Sequence, residues 1–301
     1  MISPASVDDA PRMAALLGSI YDGRLITVAG VRHRQASIRP EERVGTWLAE
    51  RDGELLGLAF GGLDAFASAS TAAFAGVAVH PDHRREGIGS ALWDAVTAHL
   101  DEIGARRVVA HSRADADTKA FAARRGFTLE ATETASAVDP RTIPAPAAAP
   151  AGIEIAPMSR FVDDPELVFV ADRECMLDEP GPSDFSGVTY ETWRRMIWDI
   201  PDADRELSVA ALARGSVVGT TLVYADRAQG RAANAGTGVI SAFRGRGLGL
   251  LMKQHSLRRA AAVGITRVIT QNDATNAPML AINARLGYEP FAVAHAWVLE
   301  R

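Results

Sequence analysis

Two short segments carry residue types able to hold a charged ligand: Arg84-Arg85-Glu86-Gly87-Ile88-Gly89-Ser90 and Arg244-Gly245-Arg246-Gly247-Leu248-Gly249-Leu250. Both read Arg-x-x-Gly-x-Gly. Glycines at this spacing admit left-handed or sharply turned backbone and keep Cβ atoms away from an incoming group. Successive N–H groups can then converge on one point, and a helix starting just behind them adds its unpaired first-turn donors and positive dipole end. The chemistry such a turn supports is capture of a phosphate or diphosphate.

Other glycine-rich phosphate loops fit poorly. A P-loop needs Gly-Lys-Ser/Thr, whereas Gly249 is followed by Leu250-Leu251. A dinucleotide fingerprint needs a third glycine and an acidic residue about 20 positions further on. Leu250-Leu251-Met252 lacks that glycine, and the first acid beyond is Asp273. The duplication itself is informative. Arg84 and Arg244 stand 160 residues apart, the pairs Gly126-Phe127 and Gly287-Tyr288 stand 161 apart, and Gly53 and Gly57 precede Gly215 and Gly219 by 162. Such constant offsets indicate two copies of one unit.

The elements that position the loops repeat likewise. Strand-like segments flank Asp52-Gly53 and again Arg214-Gly215, each a hairpin signal. Phe74 to Val79 and Gly238 to Ile240 are apolar strands running into the two loops. Behind the first loop, Leu92, Val96, Leu100 and Ile103 fall on one helical face and Gly104 stops the helix. His99 shares that stripe and reads as packing. Further strands are expected at 107–111 and 266–270, helices at 118–125 and 276–286, and closing strands at 127–138 and 291–299. Between the copies, residues 139–152 hold four prolines, a composition that favours an extended, semi-rigid spacer. The expected organisation is a first domain at 1–138, a linker at 139–152 and a second domain at 153–301. Each domain is α/β with a mixed, mostly antiparallel sheet.

With both loops and both sets of flanking elements counted, almost the whole chain outside the linker resembles the GNAT N-acetyltransferase superfamily in a tandem arrangement. The resemblance implies acetyl-coenzyme A as the cofactor and direct attack of a small-molecule primary amine on its thioester. The strand before each loop would splay from its neighbour, with Val77 to Val79 and Thr237 to Val239 accepting the pantetheine as a missing strand. The cofactor set implied in the second domain is Thr237, Val239, Arg244, Gly245, Arg246, Gly247, Leu248, Gly249, Leu250, Asn276 and Asn283. In the first it is Val77, Val79, Arg84, Arg85, Gly87, Ile88, Gly89 and Ser90.

The superfamily's tyrosine acid, four residues before the Gly-Phe/Tyr pair, is replaced by Ala122 in the first copy and Asn283 in the second. Asn276 matches the superfamily's coenzyme-contacting asparagine, whereas its counterpart Asp115 would repel phosphates. The second domain is therefore expected to be the working one, the first being degenerate or a passive coenzyme site. Backbone N–H near Val239 would stabilise the oxyanion. Candidate bases come from the acidic stretch around Glu174, Asp178 and Glu179, and Asn283 could orient a water. A non-catalytic acyl-coenzyme A binding or regulatory module is the competing reading.

Composition narrows the field further. At 301 residues with 48% hydrophobic and 23% charged residues, the chain fits about two soluble globular domains. A formal charge of −5 argues against a nucleic-acid or anionic-membrane surface. The single cysteine, Cys175, excludes an internal disulfide and a cysteine-rich zinc site. No metal is called for. No targeting segment or long apolar run is evident, and the expected location is cytoplasmic.

Overall fold

Alternating strands and two left-handed hairpin turns build the same meander twice in the computed structural model, which describes residues 1–301. The first unit comprises residues 1–133, 181–188 and 293–301. It contains β1 (Ile2–Pro4), α1 (Ala10–Ile20), α2 (Val28–Ala36), β2 (Gly45–Arg51), β3 (Glu54–Leu63), β4 (Ala72–Val79), α3 (Ile88–Glu102), β5 (Arg107–Arg113), α4 (Ala116–Ala123) and the start of β6 (Thr128–Val138). At the β2–β3 turn, Asp52 and Gly53 take φ of 53° and 83°, the twist-matched hairpin geometry that Asp-Gly favours. Leu92, Val96 and Leu100 are fully buried against Ala59, Ala73, Ala75 and Val108, so α3 covers one sheet face. On the other face, Met13, Leu16 and Ile20 of α1 pack with Leu48, Leu58 and Ala78. Burial of each such leucine stabilises the unit by about 2 kcal/mol.

The second unit comprises residues 134–180 and 189–292. Its elements are β7 (Ile153–Pro157), α5 (Glu166–Leu177), α6 (Tyr190–Trp193), β8 (Val209–Ala213), β9 (Ser216–Asp226), β10 (Arg231–Val239), α7 (Leu248–Ala262), β11 (Arg267–Asp273), α8 (Ala277–Arg285) and the start of β12 (Glu289–Glu300). Its hairpin turn repeats the geometry, with φ of 51° at Arg214 and 85° at Gly215. No helix in the chain is long and apolar enough to cross a membrane.

What positions each site is a fork in the sheet. In the first unit β4 pairs with β3 from Ala73 to Val79, but its parallel pairing with β5 covers only Ala72 to Phe74. Ala75 to Val79 therefore present one unpaired edge. In the second unit β10 pairs with β11 only over Arg231 to Asn234 while it continues along β9 to Val239, with an irregularity between Asn234 and Gly236.

Two sequence expectations need revision. The compact units are not 1–138 and 153–301, because each recruits chain from the other copy. Ala294 to Glu300 of β12 pair antiparallel with β5 in the first unit, and residues 134–138 of β6 belong to the second. Residues 181–188 also join the first unit, where Gly187 N–H donates to Phe66 at 2.8 Å and Phe185 packs edge-on against the Phe66 ring. The linker is not a free spacer either. Ile143 is buried with Leu207, Leu257 and Ile265 of the second unit, and Arg258 donates to its carbonyl. An apolar side chain within the proline run is enough to dock it.

Candidate active site

Both glycine loops take the expected shape. Gly87 and Gly247 lie in the left-handed region at φ of 85° and 76° and start α3 and α7. In the first loop the amides of Arg85 to Gly89 donate to no backbone carbonyl, and the helix resumes its own ladder with Ser90 and Ala91 donating to Gly87. Five N–H groups at a helix N-terminus thus remain for an anion. In the second loop Leu251 is the first amide bonded back, to Gly247.

The surroundings of the loops differ. Around the first lies a cleft of about 380 Å³ whose lining includes Tyr21, Val77, Val79, Arg84, Ser112 and Arg113. Gly87, Gly89 and Ser90 line it too, with Arg85, Arg124 and a single acid, Asp117. The cleft therefore runs from the loop into the fork and carries a positive balance. A methyl group at 89 would lie 3.3 Å from the Phe121 ring, so the glycine keeps the passage open. Asp115 caps α4 by accepting from Thr118 N–H at 2.7 Å and stands 3.5 Å from Arg84. Burial alone would raise its pKa, but the Thr118 bonds and the charges of Arg84 and Arg113 outweigh it and hold the carboxyl below its ordinary range. The repulsion expected from its sequence is offset by its arginine neighbours.

At the second loop the candidate residues are engaged with one another. Glu174 accepts from both N–H and Oγ of Ser241, at 2.8 and 3.0 Å. Asp178 pairs with Arg244, whose Nε also donates to Val239 C=O at 2.9 Å. These two acids brace the loop, which leaves neither free to act as a base. Glu179 is exposed just past the end of α5. Asn276 caps α8 by accepting from Met279 N–H, and Thr237 donates to Asn234. The acidic stretch also brings Cys175 against β10, where a methyl at 238 would sit 2.3 Å from its Cβ. Burial pushes the Cys175 thiol up to about 12, consistent with a packing residue.

Beneath the second loop lies a polar plug. Lys253 of α7 is 1% exposed and donates to Asn283 Oδ1 at 2.6 Å, and Asn283 Nδ2 donates to Asn272 Oδ1 at 2.7 Å. Burial without a counter-charge lowers the lysine to about 7. Asn283, the expected water-orienting residue, thus has both ends of its amide in use. Trp193 and Trp198 are buried and stacked on each other at 5.4 Å. Trp193 Nε1 donates to the buried Asp172, which also accepts from Thr220.

Comparison with protein-family models matches residues 17–127 and 174–288 to the acetyltransferase (GNAT) family. The chain belongs to that family. Among solved structures, a GCN5-related N-acetyltransferase from Sphaerobacter thermophilus superposes with a TM-score of 0.75 at 21% identity, covering 100% of this chain and 95% of that one. A tandem GNAT protein from the clavulanic acid biosynthesis pathway, described as without AcCoA, gives the same score and identity over 100% of this chain and 98% of its own. A putative acetyltransferase from Pyrococcus horikoshii follows with a TM-score of 0.61 at 15% identity over 100% and 89%. At these identities the likeness establishes the shared tandem GNAT fold. Comparison with curated proteins gives no match.

Two residues that sequence reasoning passed over gain importance in the GNAT framework. Tyr21, at the C-terminal end of α1, lines the first cleft, and no other phenol does. Its hydroxyl has no protein hydrogen-bond partner, and burial raises its pKa, so it stays protonated at neutral pH. Arg113, at the end of β5, donates to the Ile20 carbonyl at 2.9 Å and ties the fork to α1. Neither lies in a motif, and only the fold brings them to the loop.

Proposed function

We propose that this protein is an acetyl-coenzyme A-dependent N-acyltransferase that modifies a small primary amine, with the thioester held in the fork of the first unit. The observation that carries this reading is the 380 Å³ cleft joining the loop at 84–90 to the unpaired edge of β4. It supports the first unit as the working site, in place of the second that the sequence favoured. The fit to coenzyme A is chemical. Free loop amides and Arg84, Arg85 and Arg124 suit a diphosphate. The open edge of Ala75 to Val79 suits an amide-bearing chain that adds as a strand.

When bound, the coenzyme supplies an acyl group on a thiolate leaving group. The loop residues hold and orient it, and Val77 and Val79 exclude water along the fork. Tyr21 is the proton donor of the cleft. Burial keeps this phenol protonated at neutral pH, so it has a proton to give a departing thiolate, which fills the role vacated at Ala122.

A matched pair of substitutions tests the assignment. Gly89→Glu and Gly249→Glu put a carboxylate at equivalent first-turn positions, where a helix N-terminus tolerates an acid. In calorimetric titration with acetyl-coenzyme A, Gly89→Glu is expected to weaken binding at least about a hundredfold through like-charge repulsion, and Gly249→Glu to leave it within about twofold. The opposite result returns the site to the second unit. Tight binding without thiol release in the presence of an amine panel supports the non-catalytic module, the reading that Ala122 and Asn283 favour.

A further inference from the structure

Beside the fork of the first unit stands a histidine–glutamate pair that no motif announces. The last parallel pairs of β4 with β5 are Ala73 with Val108 and Phe74 with Val109. Continued past the fork, this register sets Gly76 against His111 and Val77 against Ser112. Val77 and Ser112 line the cleft, so His111 stands one residue further into the fork. Side chains alternate along a strand. Ala73, Ala75, Val77 and Val108 pack under α3, which gives Phe74, Gly76, Val109, His111 and Arg113 the opposite face. Arg113 agrees, since it bonds to α1 there.

His111 Nδ1 is buried without a hydrogen-bond partner and faces Glu133 Oε2 of β6 at 3.7 Å. The imidazole is 29% exposed, which leaves Nε2 as its accessible nitrogen. On the same face of β5, Arg113 pairs with Asp22 at 3.6 Å. The β12 residues aligned with His111 and Arg113, Ala296 and Ala294, carry no charge. Glu133 is itself partly buried, its side chain 20% exposed. An imidazole with a carboxylate facing one nitrogen and the other nitrogen open has the arrangement from which an oriented general base is made.

We propose that His111 takes a proton from the acceptor ammonium at Nε2, and that Glu133 is the positioning residue that keeps the proton of the neutral ring on Nδ1. This inference rests on the acyltransferase reading of the first unit. The ammonium N–H bond breaks and its proton passes through Nε2 to solvent. The freed lone pair forms the C–N bond as the C–S bond breaks, its electron pair going to sulfur. Tyr21 gives that sulfur a proton and is restored by the second proton that leaves the nitrogen. At 3.7 Å the Glu133 contact is longer than a hydrogen bond, as catalytic contacts often are before substrate binds.

The experiment compares wild type, His111→Gln and Glu133→Gln in the full chain. Acetyl transfer is measured at pH 7 to n-propylamine, which is cationic and needs a base, and to hydroxylamine, which is neutral and does not. Expected in His111→Gln is a loss of about a hundredfold or more with propylamine and less than about fivefold with hydroxylamine. The second readout is nitrogen-15 NMR of the ligand-free chain at pH 8. Its expected result is the Nδ1–H tautomer in wild type and a shift towards Nε2–H in Glu133→Gln. Equal losses with both acceptors, an Nε2–H tautomer in wild type, or a wild type that binds acetyl-coenzyme A yet acetylates neither amine overturns the proposal. Calorimetry separates the two readings: loss of coenzyme binding in wild type sinks the acyltransferase assignment, whereas intact binding with a failed acceptor contrast sinks His111 alone.

Discussion

The two glycine loops share a sequence pattern and backbone geometry, and the first opens into a cleft lined by Tyr21 and four arginines. At the second, Arg244 is engaged by Asp178 and Val239, Cys175 is seated on Gly238, and a buried lysine–asparagine pair joins α7 to α8. Arginines are paired at both loops, Arg84 with Asp115 and Arg85 with Asp117 at the first and Arg244 with Asp178 at the second, so what recommends the first is the cleft that joins its loop to the fork. Duplication preserved the glycine loops in both copies. Their neighbours diverged in the second.

The sharpest way to break this contrast is to remove the proposed acid. Tyr21→Phe is expected to lower kcat by roughly a hundredfold or more with little change in coenzyme affinity, read from steady-state kinetics beside calorimetry. Comparable kcat in the variant would leave the first cleft as a binding site alone.

The plug of the second unit offers the next largest effect. A lysine whose folded pKa is near 7 binds fewer protons than the unfolded residue near ~10.4. Between those values the unfolded state is favoured by proton binding, so stability rises with pH. The burial cost is fully present below pH 7 and is relieved towards pH 10. It is on the order of 4 kcal/mol across that window. Lys253→Met is expected to flatten the slope, measured by urea unfolding at pH 6.5 to 9.5. An unchanged slope would show that Lys253 is hydrated or paired, and the plug would no longer separate the two units.

Smaller effects refine the comparison. Arg84→Ala is expected to weaken acetyl-coenzyme A about tenfold, as loss of a charge-assisted contact should, while Arg244→Ala changes affinity less than twofold. Asp115→Asn keeps a good helix cap and is expected to alter coenzyme affinity by no more than about threefold. A much larger gain would revive electrostatic exclusion from the first loop.

Much of the architecture was legible in the residues. The Asp52-Gly53 turn, the Leu92-Val96-Leu100 stripe and the two loops are local signals, and local signals survive into the fold when burial agrees with them. Helix α2 escaped notice because its apolar periodicity is weak. The acidic stretch misled for a different reason. Glu174 and Asp178 look like a solvent-facing reactive cluster in the chain, but α5 brings them onto Ser241 and Arg244.

From sequence alone came the duplicated α/β plan, the anion loops, the absence of the tyrosine acid on both late helices, and the resemblance to acetyltransferases. These depend on residue identity and spacing within a few turns of chain. Tertiary structure decided that the first loop opens into a cleft lined by Tyr21, that β12 closes the first unit, and that Glu133 stands beside His111. Those outcomes depend on which side chains reach which cavity once helices pack and strands part, and no sequence spacing encodes that distance.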